Sequence, residues 1–213
     1  MAEQGLRERK KQATRRMIAD VATGLFVTRG FDAVTVAEIA EVAGVSKMTV
    51  FNYFPRKEDL YLDRHLDRLR ELEAVVRDRP AGEPVSTAMR RYHHELLAAG
   101  HPLSGAIAGV HGFWSVLQSS PALMARMVEQ EHEIGDMLAG VLTEETGDEF
   151  SARLVANLLT ATITTIFRTP VGRIMAGDDV EQVRRDQVAV IDHAFDVLEQ
   201  GIGPRREQLH SDG

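Results

Sequence analysis

The sequence predicts an all-α protein, an N-terminal three-helix helix-turn-helix domain followed by a C-terminal helical bundle, and three observations predict it. Apolar residues recur at spacings of three and four through nearly the whole chain, while strand-like alternation is almost absent. Glycines, prolines and capping residues cut that periodicity into helix-length segments. Finally, TVAEIAEVAGVSKMTVFNYF, residues 35–54, packs two short amphipathic patterns around one glycine, as a helix-turn-helix does.

Taken in order, a first helix is expected over about 11–29, with Met17, Val21, Ala22, Leu25 and Phe26 on one stripe and Gly30 as its stop. Thr35 with Glu38 has the form of a capping box, so a second helix starts there and ends before Gly44. Ser46 caps a third helix through about Tyr53, and Pro55 closes it. A fourth is expected from near Arg56 towards Val76, up to the clearest break in the chain, RDRPAGEP at 77–84. Further helices are expected at about 85–99, 104–118, 121–146, 149–168 and 180–200. Pro121 suits a first turn behind Ser119 and Ser120, and Asp178 and Asp179 can cap the last helix.

The chain has 213 residues and a formal net charge of −7, which taken alone argues against an acidic partner. The average hides a split. Residues 1–57 hold ten Lys and Arg against six Asp and Glu, a net of +4, which leaves −11 for the remainder. A basic segment that meets a polyanion, joined to an acidic body that does not, has this signature. The sequence has no cysteine, which excludes disulfides, thiolate metal sites and cysteine nucleophiles. No run approaches the roughly 18 uninterrupted apolar residues of a membrane span, and MAEQGLRERKKQATRR lacks the apolar core of a signal peptide, so a cytoplasmic protein without membrane association is expected.

The chemistry concentrates in residues 35–57. Ile39, Ala43, Val45, Val50 and either Tyr53 or Phe54 are expected to fasten the helix pair to the first helix, leaving Ser46, Lys47, Met48, Thr49 and Asn52 outward. Lysine can donate to guanine acceptors, asparagine can pair bidentately with adenine, and threonine or methionine can pack on a thymine methyl. Thr35, Tyr53 and Lys57 suit phosphate oxygens, which fix position rather than sequence. The cluster Arg7, Arg9, Lys10, Lys11, Arg15 and Arg16 reads either as a basic arm towards DNA or as a solvated tail.

From the first helix through TVAEIAEVAGVSKMTVFNYFPRKEDL, about residues 11–62, the chain closely resembles the N-terminal domain of TetR-type transcriptional regulators. The shared pattern is a threonine, a hydrophobic and small helix, A-G-V-S, a short recognition helix ending in aromatics, a basic pair and an acidic helix start. The resemblance implies that Lys47, Met48, Thr49, Asn52 and Tyr53 lie on the DNA-facing helix, with Thr35 and Lys57 at phosphates. Phe51 departs from the pattern, standing where many relatives have tyrosine, and brings no hydroxyl. The resemblance further implies a DNA-binding domain with a basic arm at 1–56, an effector-binding and dimerisation domain at 57–213, and an effector that alters the spacing of two DNA-reading heads.

For the body the sequence offers candidates. SGAIAGVHGFWSVL, residues 104–117, mixes glycines with Phe113 and Trp114, and small residues beside large aromatics can leave a ligand cavity. Tyr92, His93, Leu96, His111, Trp114, Met124 and Met127 are the expected lining; plain core packing is the alternative for each. The last helix carries Val188, Ile191, Phe195, Leu198 and Ile202 on one stripe and Val183, Val190, Ala194 and Val197 on another, an arc wider than a single core needs. Leu154, Val155, Leu158, Leu159, Ile163, Ile166 and Phe167 add to it from the preceding helix. A homodimer is expected, with Leu154, Leu158, Val183, Val190, Ala194 and Val197 at its interface and a roughly palindromic duplex operator as its target.

No catalytic residue, metal site or cofactor is expected. His93, His94 and Glu95 are adjacent and diverge, and Glu129, His132 and Glu133 lack a second histidine at i+4. Repression relieved by a small molecule is the favoured reading, because a dimer seated on a promoter blocks polymerase without further contacts. An activator, a DNA-binding protein without a ligand, and a helical-bundle metal-dependent enzyme remain as alternatives.

Overall fold

The structure is a computed structural model that describes residues 2–201, with side chains from residue 9 onward. Ile202 and the side chain of Arg7 therefore lie outside the described residues. Among these the chain is all helical: α1 (Ala2–Arg29), α2 (Val36–Val42), α3 (Lys47–Tyr53), α4 (Glu58–Tyr61), α5 (His65–Arg77), α6 (Val85–Ala98), a 3-10 turn (Pro102–Ser104), α7 (Val110–Ser119), α8 (Pro121–Thr146), α9 (Glu149–Met175) and α10 (Val180–Gln200). The described helices pack as two compact units, one of residues 2–73 with 108–137, the other of residues 74–107 with 138–201.

In the first unit, Ile18, Ala19, Ala22 and Phe26 of α1 are buried together with Ile39, Ala40, Val50 and Phe54, and α1 packs on α2 and α4. Of the two aromatics expected to compete for the core, Phe54 takes it and Tyr53 is half-buried. α1 begins at Ala2 rather than near residue 11, so the basic N-terminal residues continue a helix. The single helix expected over 56–76 is broken at Leu62, the C-cap of α4, where the backbone turns before α5. Two side chains hold that break, half-buried Arg15 and buried Gln130. Arg15 donates to the Asp63 carbonyl at 2.8 Å, and Gln130 reaches the Leu62 carbonyl at 3.5 Å.

In the second unit α10 packs on α6 and α9, with Val183, Gln187, Ile191 and Phe195 facing inward. α9 runs past the expected end at 168 to Met175, straight through Pro170. A proline inside a helix leaves the carbonyl four residues earlier without its N–H donor. Here that carbonyl belongs to Ile166, and the side-chain amide of buried Gln187 donates to it at 2.8 Å. The expected helix at 104–118 starts instead at Val110, after a 3-10 turn and a segment anchored by Gly105. Gly105 has φ +73, and a Cβ there would stand 2.6 Å from the Phe167 carbonyl oxygen.

By length and composition α9 could cross a membrane, with a mean hydropathy of 1.3 over its most apolar window. One face of it, Ala152, Ala156, Leu159, Ile163 and Ile166, is packed into its own unit. Phe150, Leu154 and Leu158 are exposed on the other.

Candidate functional site

The turn between α2 and α3 is built from its own residues. Thr35 Oγ1 accepts from the Glu38 N–H at 3.2 Å while the Glu38 carboxylate accepts from the Thr35 N–H at 2.7 Å, a complete capping box. Arg29 adds an ion pair to Glu38 at 2.7 Å. Hydrogen bonds from the Thr35 backbone and then from Arg29 hold the Glu38 carboxyl down at about 2. At the other end of α2, Val45 N–H bonds to the Ala40 carbonyl at 2.9 Å and Gly44 N–H to that of Glu41 at 3.1 Å, with Gly44 at φ +65. This is a Schellman stop, which requires the left-handed backbone that glycine adopts without strain.

Ser46 then caps α3, accepting from the Thr49 N–H at 3.0 Å. Val50 is fully buried. Pinned by that residue, α3 presents Lys47, Met48 and Asn52 to solvent, and Met48 at 69% exposure is among the most exposed large apolar side chains described. A methionine so exposed, beside a lysine and an asparagine, forms a surface with donors for base edges and an apolar tip for a methyl group. Thr49 is half-buried and its hydroxyl lies 2.8 Å from that of Ser46, so these two side chains shape the helix start as well as its surface. Phe51 is partly exposed, with the Lys47 ammonium 5.8 Å from its ring centre.

Thr35 and Tyr53 border this face. Lys57 does not project from it. Its ammonium donates to the Phe31 carbonyl at 2.6 Å and lies 4.2 Å from the centre of the Phe31 ring. Burial lowers its pKa, against the opposing pull of Asp32, Glu58 and Glu38.

Sequence reasoning missed the network behind the site. Arg126 on α8 donates to Asp59 at 2.7 Å and to Glu133 at 2.6 Å, Glu133 lies 2.5 Å from the His65 ring nitrogen, and Arg56 pairs with Glu129. Burial alone would lower the Arg126 pKa, but bonds from Glu133 and Asp59 raise it. Burial lowers that of His65, outweighing the pull of Glu133. The basic residue beside the reading helix, Arg56, and the start of α4 are thus both tied to α8. No local pattern signals this, because the three pairs that reach α8 from elsewhere, Arg56–Glu129, His65–Glu133 and Asp59–Arg126, join residues 67 or more positions apart.

The expected effector residues fall in two groups. Tyr92, His93 and Leu96 lie on α6 in the second unit; His93 is buried with its Nδ1 2.8 Å from the Met89 carbonyl. His111, Trp114, Met124 and Met127 lie on α7 and α8 in the first, where Trp114 and Met127 are buried and His111 is exposed. A cleft of about 680 Å³ in the second unit contains none of the seven. It lies between the 78–84 loop and the end of α8, and the ion pairs Arg77–Glu144 at 2.8 Å and Arg79–Glu145 at 2.5 Å span it. Among the described residues no cluster of three or more His, Asp or Glu is placed to hold a metal ion.

One dimer expectation is corrected. Val183 is 1% exposed, because it shares the inward face of α10 with Gln187, Ile191 and Phe195 at four-residue spacing, and it cannot meet a partner chain. Leu154, Leu158 and Val197 are exposed, and Val190 and Ala194 are half-buried at the edge of that face. The buried face of α10 takes residues from both expected stripes, Ile191 and Phe195 from one and Val183 from the other, while Val188 of the first is 46% exposed.

Comparison with known proteins agrees with this geometry. Residues 18–63 match the family described as bacterial regulatory proteins, tetR family. The chain is 29% identical to the transcriptional regulator TcmR of Streptomyces glaucescens over 166 residues, 74% of this chain and 73% of that protein. It is 37% identical to the transcriptional repressor LfrR of Mycolicibacterium smegmatis over 100 residues, 46% of this chain and 49% of that protein. Among solved structures, the TetR-family repressor FadR of Thermus thermophilus in complex with lauroyl-CoA aligns with a TM-score of 0.53 at 25% identity, covering 91% of this chain and 97% of that one.

Proposed function

We propose that the chain, whose residues 18–63 match the TetR family of bacterial regulatory proteins, belongs to that family and is a cytoplasmic homodimeric repressor, released from a palindromic operator when a small molecule binds its body. The family membership makes it a DNA-binding transcriptional regulator with a helix-turn-helix. The observation that carries the finer reading is the outward face of α3, where Lys47, Met48 and Asn52 stand exposed on a helix held at both ends by its own caps. We assign base reading to these three, with Ser46 and Thr49 at the helix start and Thr35 and Tyr53 at flanking phosphates. We assign DNA contact to residues 1–56, and effector response and dimerisation to residues 57–213.

For the dimer, the exposed apolar face of α9, Phe150, Leu154 and Leu158, with Val190, Ala194 and Val197 of α10, supports an interface between two copies. A two-fold dimer reads half-sites about one helical turn, roughly 34 Å, apart. Effector contact is assigned to Tyr92, His93 and Leu96 on α6 and to His111, Trp114, Met124 and Met127 on α7 and α8, supported by the presence of ligands in related repressors such as the acyl-CoA-bound FadR. No catalytic role and no cofactor are assigned.

Selection of bound duplexes from a random pool at physiological salt tests this, since non-specific attraction is suppressed there. The expected result is an enriched palindrome, with Lys47→Ala relaxing base preference at one position in each half-site. A folded protein that enriches no sequence would overturn the proposal.

A further inference from the structure

Lys57 is the basic residue that both spacing and family resemblance place on a phosphate. The structure puts its ammonium elsewhere, 2.6 Å from the carbonyl oxygen of Phe31 and over the Phe31 ring at 4.2 Å, with the Phe26 ring 5.7 Å away. Those rings lie 4.8 Å apart, and both residues are buried. The same Phe31 carbonyl accepts from the Val34 N–H at 3.4 Å, so the lysine closes the turn that leads directly into Thr35 and the capping box of α2. Lys57 itself stands at the N-cap of α4 and offers α4 no side-chain cap. Its ammonium thus joins the starts of α2 and α4. By contrast, Lys47 is exposed, with only a 5.8 Å approach to the Phe51 ring.

We propose that Lys57 is a positioning residue for the DNA-reading head, pinning the Phe31–Val34 turn so that Thr35 and the N-terminus of α2 meet the phosphate backbone, and that it makes no phosphate contact of its own. An ammonium has three donors on a compact tetrahedral centre. Here one is spent on a carbonyl and the charge rests against aromatic faces, a setting that favours a cation and holds the ammonium at the Phe31 turn. The lowered pKa fits this partly dehydrated position. The inference rests on the DNA-reading function proposed above, and it changes what that function predicts for this residue.

Two measurements test it. The first needs no DNA and no variant. The chain has four lysines, Lys10, Lys11, Lys47 and Lys57, so in protein labelled with 13C-lysine the ε-methylene of Lys57 is expected to be displaced from the others by the ring currents of Phe31 and Phe26. That displacement persists when the selected operator is added. A resonance at the position of an exposed lysine in free protein, or one that loses its displacement on operator binding, would overturn the proposal; the free-protein result stands whether or not an operator exists.

The second compares operator affinity across salt for the native protein and Lys57→Met, which keeps the aliphatic stem over the rings. Affinity is expected to fall about tenfold, as for a lost hydrogen bond to a charged group, with the slope of log K against log salt unchanged. Combined with Thr35→Val, the two losses fall short of additivity because one residue acts through the other. A slope flattened by about 0.9 for each lysine removed, with additive losses, is what a direct phosphate contact produces and would refute positioning.

Discussion

Residues 35–57 and residues 99–118 look alike as text, each joining short helical patterns through glycine, yet they fold by different rules. In the first, both ends of α2 and the start of α3 are set by groups a few residues away: Thr35 with Glu38, Gly44 with Ala40 and Glu41, Ser46 with Thr49. In the second, the chain leaves a Schellman stop at Gly100, makes one 3-10 turn, and then stays non-helical to Gly109 because Gly105 rests on the backbone of α9. The difference teaches where a turn stores its instructions. A cap is written beside the helix it starts, whereas a close backbone approach is written in the other partner.

The comparison breaks most visibly at its two glycines. Gly105→Ala forces a residue into φ +73 and drives a Cβ to 2.6 Å from the Phe167 carbonyl oxygen, with the side chains of Pro170 at 3.1 Å and Val171 at 3.3 Å. We expect a loss of about 3 kcal/mol or more, from left-handed strain plus overpacking, read as a fall in thermal midpoint on the order of 10 °C. Gln187→Leu should come next. It leaves the Ile166 carbonyl, already deprived of an N–H by Pro170, with no donor in a buried setting, at about 2 kcal/mol by denaturant unfolding. Gly44→Ala is expected to cost only about 1 kcal/mol, since its φ is +65 but no atom lies within 4 Å of the new Cβ. Equal losses at Gly44 and Gly105 would show that backbone strain alone governs both turns and that the remote contact is immaterial.

The same distinction explains what could be read in advance. The helix-turn-helix, its caps and its outward residues followed from spacing because each is decided within one or two turns; the end points of α2, α3, α8 and α10 lie within about a residue of those expected. The continuation of α9 through Pro170 was illegible because the donor that rescues it, Gln187, comes from the next helix. The break at Leu62 was illegible because Arg15 and Gln130 reach it from elsewhere. At the site, Lys47, Met48 and Asn52 were legible as exposed polar and apolar types on a helix with a buried Val50. Lys57 was not, because its partner is a carbonyl, and carbonyls carry no signature in a sequence. Val183 was assigned to the wrong surface for a related reason: two apolar stripes on one helix are distinguishable only once the neighbouring helices are in place.

The smallest effects sharpen the distinction by pH, because Glu38 is held by local partners and His65 by a residue of a distant helix. Glu38 is the local one. Hydrogen bonds from Thr35 and Arg29 lower its folded pKa to about 2 from 4.5, so its contribution is complete above about pH 4.5 and disappears as the pH falls towards 2. His65 is the long-range one, 5% exposed and facing Glu133 on α8. Burial lowers its folded pKa below 6.5, so the unfolded chain binds the proton first as the pH drops, and stability present above about pH 6.5 is lost as the pH falls through the folded value. Both terms therefore have the same sign and differ in window. Denaturant unfolding at a series of pH values should show the native protein losing stability as the pH falls below about 6.5, with His65→Gln flattening that segment and leaving the acid limb intact. Glu38→Gln should do the reverse, removing slope only below about pH 4.5. If His65→Gln leaves the upper segment unchanged, the ring does not titrate between folded and unfolded states there, and the α8 network owes its geometry to Arg126 alone.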